Sequence, residues 1–218
     1  MPVILSRKGG SGGGGGAPSG PAGGDLSGTY PNPSIAAGAI GTSELAATIK
    51  PWNELYDETL VGNQASIDTG AGGFSTAFDH LQVVILARTA EAAVLSSLVL
   101  NFNGDGGANY DYQRMRVVNT TVAGEITLAT TGIVIACAGA SAQAGAFSAI
   151  DFLIPAYSQT VAHKSFVLMG GLAEDTAADN RTSLQGNRWR STAAITRIVL
   201  SPSGGNFVAG TRLTVYGI

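Results

Sequence analysis

The chain has 218 residues, a formal net charge of −3, 31 glycines, one cysteine and only 12% charged residues. That length suits one ordinary domain plus an arm. The low charge and abundance of small residues fit a β-rich protein or a packed assembly better than a helical enzyme. An acidic balance leaves no basic excess for a nucleic-acid backbone, and Arg7-Lys8 is too small a cluster to change that.

Residues 1–8 open with the apolar run Val3-Ile4-Leu5, which could form one short strand and serve as a docking anchor, the alternative being a disordered terminus. The run is too short for a signal peptide or a membrane span, which points to a protein made and assembled in a cytosol, with no membrane insertion. Residues 9–24 are mostly glycine with Ser, Ala and Pro, too poor in apolar surface to offset their ordering entropy. Residues 1–22 are therefore expected to be an anchor and a flexible tether. A collagen period fails, because Gly16 and Gly20 are out of register with a triplet.

Residues 23–50 form the next expected unit. Pro31 and Pro33 exclude a helix and an interior sheet strand over 23–34, since each lacks an N–H and forces extended geometry on the residue before it. Leu26 and Tyr30 are nevertheless large groups without a core of their own, which predicts packing against other chains. A short helix is expected within 35–50, with Thr42 as N-cap, Glu44 in the first turn and Pro51 as terminator. Its Leu45 and Ile49 share one face. At about two turns it cannot stand alone in water. It could pack on its own domain; flanking alanines favour a seam with copies of itself.

Residues 51–218 read as an all-β domain. Strands are expected at Glu54–Val61, His80–Arg88, Leu95–Asn103, Asp111–Val118, Glu125–Cys137, Ala146–Ile154, His163–Leu172, Leu184–Ser191, Ile195–Ser201 and Gly210–Tyr216. Clusters of Gly, Asn, Asp and Pro separate them. About ten strands with no helical period predict two packed antiparallel sheets, a jelly-roll-like β-sandwich.

Two regions resemble known phage components. Gly23-Gly-Asp-Leu-Ser-Gly-Thr-Tyr-Pro-Asn-Pro-Ser-Ile35 is similar to a module of tail-fibre and other appendage proteins of tailed bacteriophages. Phe102-Asn-Gly-Asp-Gly-Gly-Ala-Asn-Tyr-Asp-Tyr112, Trp189-Arg-Ser-Thr-Ala-Ala-Ile-Thr196 and Asn206-Phe-Val-Ala-Gly-Thr-Arg-Leu-Thr-Val-Tyr-Gly-Ile218 resemble a jelly-roll domain of phage virion proteins. The resemblance implies a trimeric, non-enzymatic structural protein of the virion. A homotrimer would supply the neighbours that the module lacks, placing Leu26, Tyr30, Ile35, Ile40, Leu45 and Ile49 at its interface. Val3, Ile4 and Leu5 would then dock on another virion protein of the tail, neck or capsid.

Sites of chemistry are sparse. His80 and His163 are the only near-neutral bases, no nucleophile elbow or paired-carboxylate motif accompanies them, and no enzyme is expected. Cys137 allows no intrachain disulfide and no cysteine zinc site of its own, and its apolar setting predicts a buried, inert thiol. Asn101-Phe-Asn103-Gly-Asp105-Gly106 has the polar spacing of a calcium loop, with Asp105 and Asp111 as possible ligands, but Tyr112 stands where such a loop needs Glu. A tight β-connection is the better reading, so neither metal nor cofactor is expected. The glycines at 9–16 lack the Lys-Ser/Thr closure of a phosphate loop. Asn119-Thr-Thr121 and Asn180-Arg-Thr182 match a glycosylation pattern that has no use in a bacterial cytosol.

Carbohydrate recognition is the remaining option, through aromatic faces or loop residues. Alternation in Arg188-Trp189-Arg190 puts Trp189 opposite both arginines, in the core, and Tyr110 and Tyr112 could be core as well. Loop position makes Asp105, Asn109, Asp175, Asn180 and Arg181 the candidate receptor surface. The expectation is a trimeric fibre or spike that presents its knob to host-surface glycans, with a capsid decoration or head-fibre protein as the alternative.

Overall fold

In the computed structural model, residues 19–24, 26–30, 32–36, 39, 52–174 and 179–218 are described. The chain divides into two compact units, residues 1–50 and 51–218. Val3, Ile4, Leu5, Ile40, Leu45, Ile49 and Asp175, and with them the anchor and the expected helix, lie outside the described residues.

In the first unit, β1 (Gly20–Pro21) pairs with β3 (Thr29–Tyr30), and β2 (Leu26–Ser27) with β4 (Ser34–Ile35), both antiparallel. Leu26 faces Ile35 across the second ladder, and the hydroxyls of Ser27 and Ser34 lie 3.1 Å apart. Pro21 and Pro33 permit this because the strands are two residues long and the ladders two strands wide, so no central N–H is required of them. Leu26 and Tyr30 are half-buried, whereas Ile35 stays exposed.

The second unit is a sandwich of two antiparallel sheets. Its strands are β5 (Asn53–Thr59), β6 (Ile67–Asp68), β7 (His80–Ala87), β8 (Leu95–Phe102), β9 (Tyr110–Val118) and β10 (Thr121–Thr130). They continue with β11 (Ile133–Ala138), β12 (Ser148–Pro155), β13 (Lys164–Leu172), β14 (Arg181–Trp189), β15 (Ile198–Pro202) and β16 (Arg212–Gly217). The larger sheet has eight strands in the order β10-β9-β14-β13-β12-β7-β16-β5; the smaller has four, β11-β8-β15-β6. An all-β sandwich is thus what the chain forms.

One expected strand is corrected. Glu125–Cys137 is two strands in different sheets, β10 in the large one and β11 in the small one. Ala129 sits at φ 53° where the β9–β10 ladder shifts register, and the chain crosses between sheets at 131–132. Gly132 makes the crossing possible, because a Cβ there would lie 2.4 Å from Val99 Cγ1.

The core is the space between the sheets. Phe102, Tyr110, Phe152, Phe166 and Trp189 form one aromatic cluster there, with Phe102–Trp189 centroids 5.6 Å apart and Phe152–Phe166 5.1 Å apart. Trp189 is buried, and Tyr110 and Tyr112 are core residues too. Two cations, the half-buried Arg88 and the buried Lys164, tie loops to this frame. The Arg88 guanidinium donates to the carbonyls of Ala140, Ala142, Gln143 and Ala146, and Lys164 Nζ to those of Gln159, Ala162 and Thr192.

Candidate assembly interface

Strand alternation assigns each residue of the large sheet to the core side or the outer side. The outer side is apolar over most of its width. Cross-strand register builds it as rows. One row runs Gly124, Met115, Leu184, Met169, Asp151, Val84, Thr214, Asp57 from β10 to β5. The next runs Ile126, Gln113, Gly186, Val167, Leu153, Gln82, Tyr216, Glu54. Val122, Val117 and Leu86 belong to a third. Met115 is 56% exposed, Ile126 64% and Met169 58%.

Eleven large apolar side chains on this face are each more than a third exposed, on the order of 1,000 Å² in all. The largest apolar patch on an ordinary monomer is about 300–600 Å². Strand composition carries the same message. Val83-Val84-Ile85-Leu86-Ala87 and Phe166-Val167-Leu168-Met169 are unbroken apolar runs, the pattern of strands covered on both faces. Among the described residues of the sandwich only their inner face is covered.

Relief on the face comes from its glycines. Gly186 has open space above it and floors a groove of about 740 Å³ walled by Ile126, Leu128, Leu153 and Val167. Asp111 and Arg188 close one end. Asp111 accepts from the guanidinium groups of Arg188 and Arg190 and, at 2.9 Å, from the N–H of Ala129 at the β10 bulge. The Arg190 hydrogen bond is the main influence holding its carboxyl well below the usual range, against the opposing effect of burial. Towards β16 and β5 the face turns polar. Gln82 donates to Asp151, and Arg212 and Thr214 both donate to Asp57, at 2.7 and 2.8 Å. An apolar centre with a hydrogen-bonded rim is the anatomy of a protein–protein interface.

The loop candidates are placed as follows. Asp105 is committed within the chain: it accepts from Trp189 Nε1–H at 2.7 Å, from the Gly107 N–H and from Asn109. Asn109 remains exposed. Asp105 and Asp111 point to opposite sides of the large sheet, each to its own partners, so they do not share a ligand position. Asn180 exchanges hydrogen bonds with Asn119 and accepts from the Glu174 N–H, closing the β13–β14 connection. Arg181 begins β14 with its side chain on the inner side. His80 Nδ1 accepts the Ala156 N–H at 3.2 Å; His163 is exposed. Cys137 is buried, which pushes its thiol up to about 12. The outer face itself was missed in the sequence, although its double apolar runs were a signal for it.

No protein-family model matches the chain, and no curated protein or solved structure is significantly similar to it.

Proposed function

We propose that this chain is a non-enzymatic structural protein of a tailed-phage virion, a homotrimer whose residues 1–22 dock on the particle and whose β-sandwich is displayed as a knob towards host-surface glycans. The observation that carries the assembly is the apolar outer face of the large sheet. Its occupants are further copies of the same chain. About 1,000 Å² per subunit, shared between two neighbours, gives each contact about 500 Å² of apolar area, close to the apolar share of the roughly 800 Å² per partner of a standard stable interface. Eight strands at about 4.8 Å spacing make a face some 34 Å wide. That width lets the β10–β9–β14 part meet one neighbour and the β13–β12–β7 part the other, as a closed threefold ring requires. The virion assignment rests on the resemblance of 23–35 and of three sandwich segments to phage components.

The alternative, a capsid decoration or head-fibre protein, is favoured by one feature: only residues 23–50 separate the tether from the sandwich, so there is little shaft with which to reach a host.

Light scattering of the purified chain tests the assembly. A trimer is expected, and Leu184→Glu, an exposed position, is expected to yield folded monomers. A monomeric wild type, a face-to-face dimer, or an intact Leu184→Glu trimer sinks the proposed seam. Imaging of the assembled particle separates tail from capsid. Deleting residues 1–22 should abolish incorporation while leaving the knob folded.

A further inference from the structure

The inner side of the large sheet carries a feature that assembly does not use. The inner side of the β9–β10 edge is only partly covered, since Arg116, Ala123, Glu125 and Thr127 are half-buried there. Three arginines gather on this side: Arg114 and Arg116 of β9, and Arg181 of β14. The register places Arg116 opposite Ser183, and Arg181 two residues along the same strand, so Arg116 and Arg181 are diagonal neighbours on one face. Among the described residues Glu125 of β10, opposite Arg114, is the one carboxylate bonded to them. Its Oε2 accepts from Arg114 Nη2 at 2.7 Å and from Arg116 Nη1 at 3.0 Å. Asp179, just before β14, is the other acidic group acting on Arg181. Among the described residues, three cations thus face two carboxylates.

Hydrogen bonding is incomplete in the same place. The Nε atoms of Arg114, Arg116 and Arg181 are all buried without an acceptor. The Arg114 side chain is only 6% exposed, so its free donor cannot be served by bulk water. An unsatisfied donor on a buried cation is costly, and three in one cluster call for a shared acceptor. Arg116 and Glu125 are about one-third exposed, which leaves a way in from solvent. Burial, and then the nearness of Arg116 and Arg114, lower the proton affinity of Arg181, as expected for crowded and incompletely neutralised guanidinium groups.

We propose that the cluster formed by Arg114, Arg116 and Arg181 binds an oxyanion, a carboxylate or phosphate carried by an acidic saccharide, at its half-exposed edge. Guanidinium forks match these groups in shape and supply charge-assisted hydrogen bonds. The saccharide source rests on the host-surface reading above; the oxyanion site does not.

Titration calorimetry on the full chain, at fixed ionic strength, tests it with four probes: inorganic phosphate, glucuronate, glucose 1-phosphate and uncharged glucose. Saturable binding of the anionic probes and none of glucose is expected. Arg116→Gln and Arg181→Gln, both at partly exposed positions, should each weaken binding at least tenfold while circular dichroism stays native. Glu125→Gln removes the competing carboxylate and should tighten binding several-fold, an effect that a purely structural cluster would not give. Arg212→Gln, at the far side of the sheet, should leave affinity unchanged. Absence of saturable binding, or wild-type affinity in the two arginine variants, overturns the site. Binding of phosphate without either sugar anion keeps the site and overturns its saccharide occupant. Neither result bears on the light-scattering test of the trimer.

Discussion

Asp111 shows how much a single position does here. It lies on the outer side of β9, where two arginines and one backbone N–H converge on its carboxylate. Its folded proton affinity is depressed, so its contribution to stability is complete above the ordinary carboxylate range and disappears as pH falls. Asp57 and Asp68 are lowered too, each first by an arginine hydrogen bond and against burial. Stability should therefore decline from about pH 4 downwards. Asp111→Asn is expected to cost about 1–2 kcal/mol at pH 7 in urea denaturation. The gap between variant and wild type should narrow steadily below about pH 4. A gap independent of pH would show that the carboxylate charge contributes nothing.

At the scale of elements, the crossing from β10 to β11 is the most constrained connection. Strand-favouring residues continue through 125–137, with Ile126, Thr127, Thr130, Thr131, Ile133, Val134 and Ile135 all β-branched, which is why it reads as one strand. Only the close approach of Val99 to Gly132, a contact between residues far apart in the chain, shows that the backbone must leave one sheet for the other there. Gly132→Ala forces a methyl group to within 2.4 Å of a side-chain carbon and should destabilise the fold by about 1–3 kcal/mol in chemical denaturation. Strand β6 escapes sequence reading for another reason: at two residues it has no period to detect, and its pairing with β15 defines it. The loop at 139–147 reads as a small-residue linker, yet Arg88 fixes four of its carbonyls. Arg88→Ala should leave the sandwich folded and open this loop to protease, with cleavage mapped by mass spectrometry between 139 and 147. Unchanged resistance would mean that the fork is dispensable.

For the whole molecule, the decisive quantity is the apolar area that one chain cannot cover. If copies of the chain cover it, unfolding is linked to association, and the midpoint temperature must rise with protein concentration. A tenfold dilution should lower it by several degrees in wild type and leave it unchanged in Met115→Glu. A concentration-independent wild type would mean that the face stays uncovered. Subunits meeting this way also multiply any weak site they carry, since linked sites bind as one. The arginine cluster lies on the opposite side of the sheet from the seam, so occupying one does not require vacating the other.

Much of this was legible in the sequence, because it depends on short-range alternation. The all-β class, most of the strand centres, the buried Trp189 between two outward arginines and the inert Cys137 all follow from which neighbours are apolar. Sheet partners could not be read, since pairing joins residues as far apart in the chain as Asn53 and Gly217 and alternation does not say with whom. For the same reason the sequence offered Asp105 as a surface residue, when Trp189 Nε1–H claims its carboxylate. The outer face and the arginine cluster exist only once register sets Met115 beside Leu184 and Arg116 beside Ser183. Local patterning determined that the chain folds into strands with apolar sides; tertiary pairing alone decided which sides are covered, because covering a face takes a second sheet or a second chain.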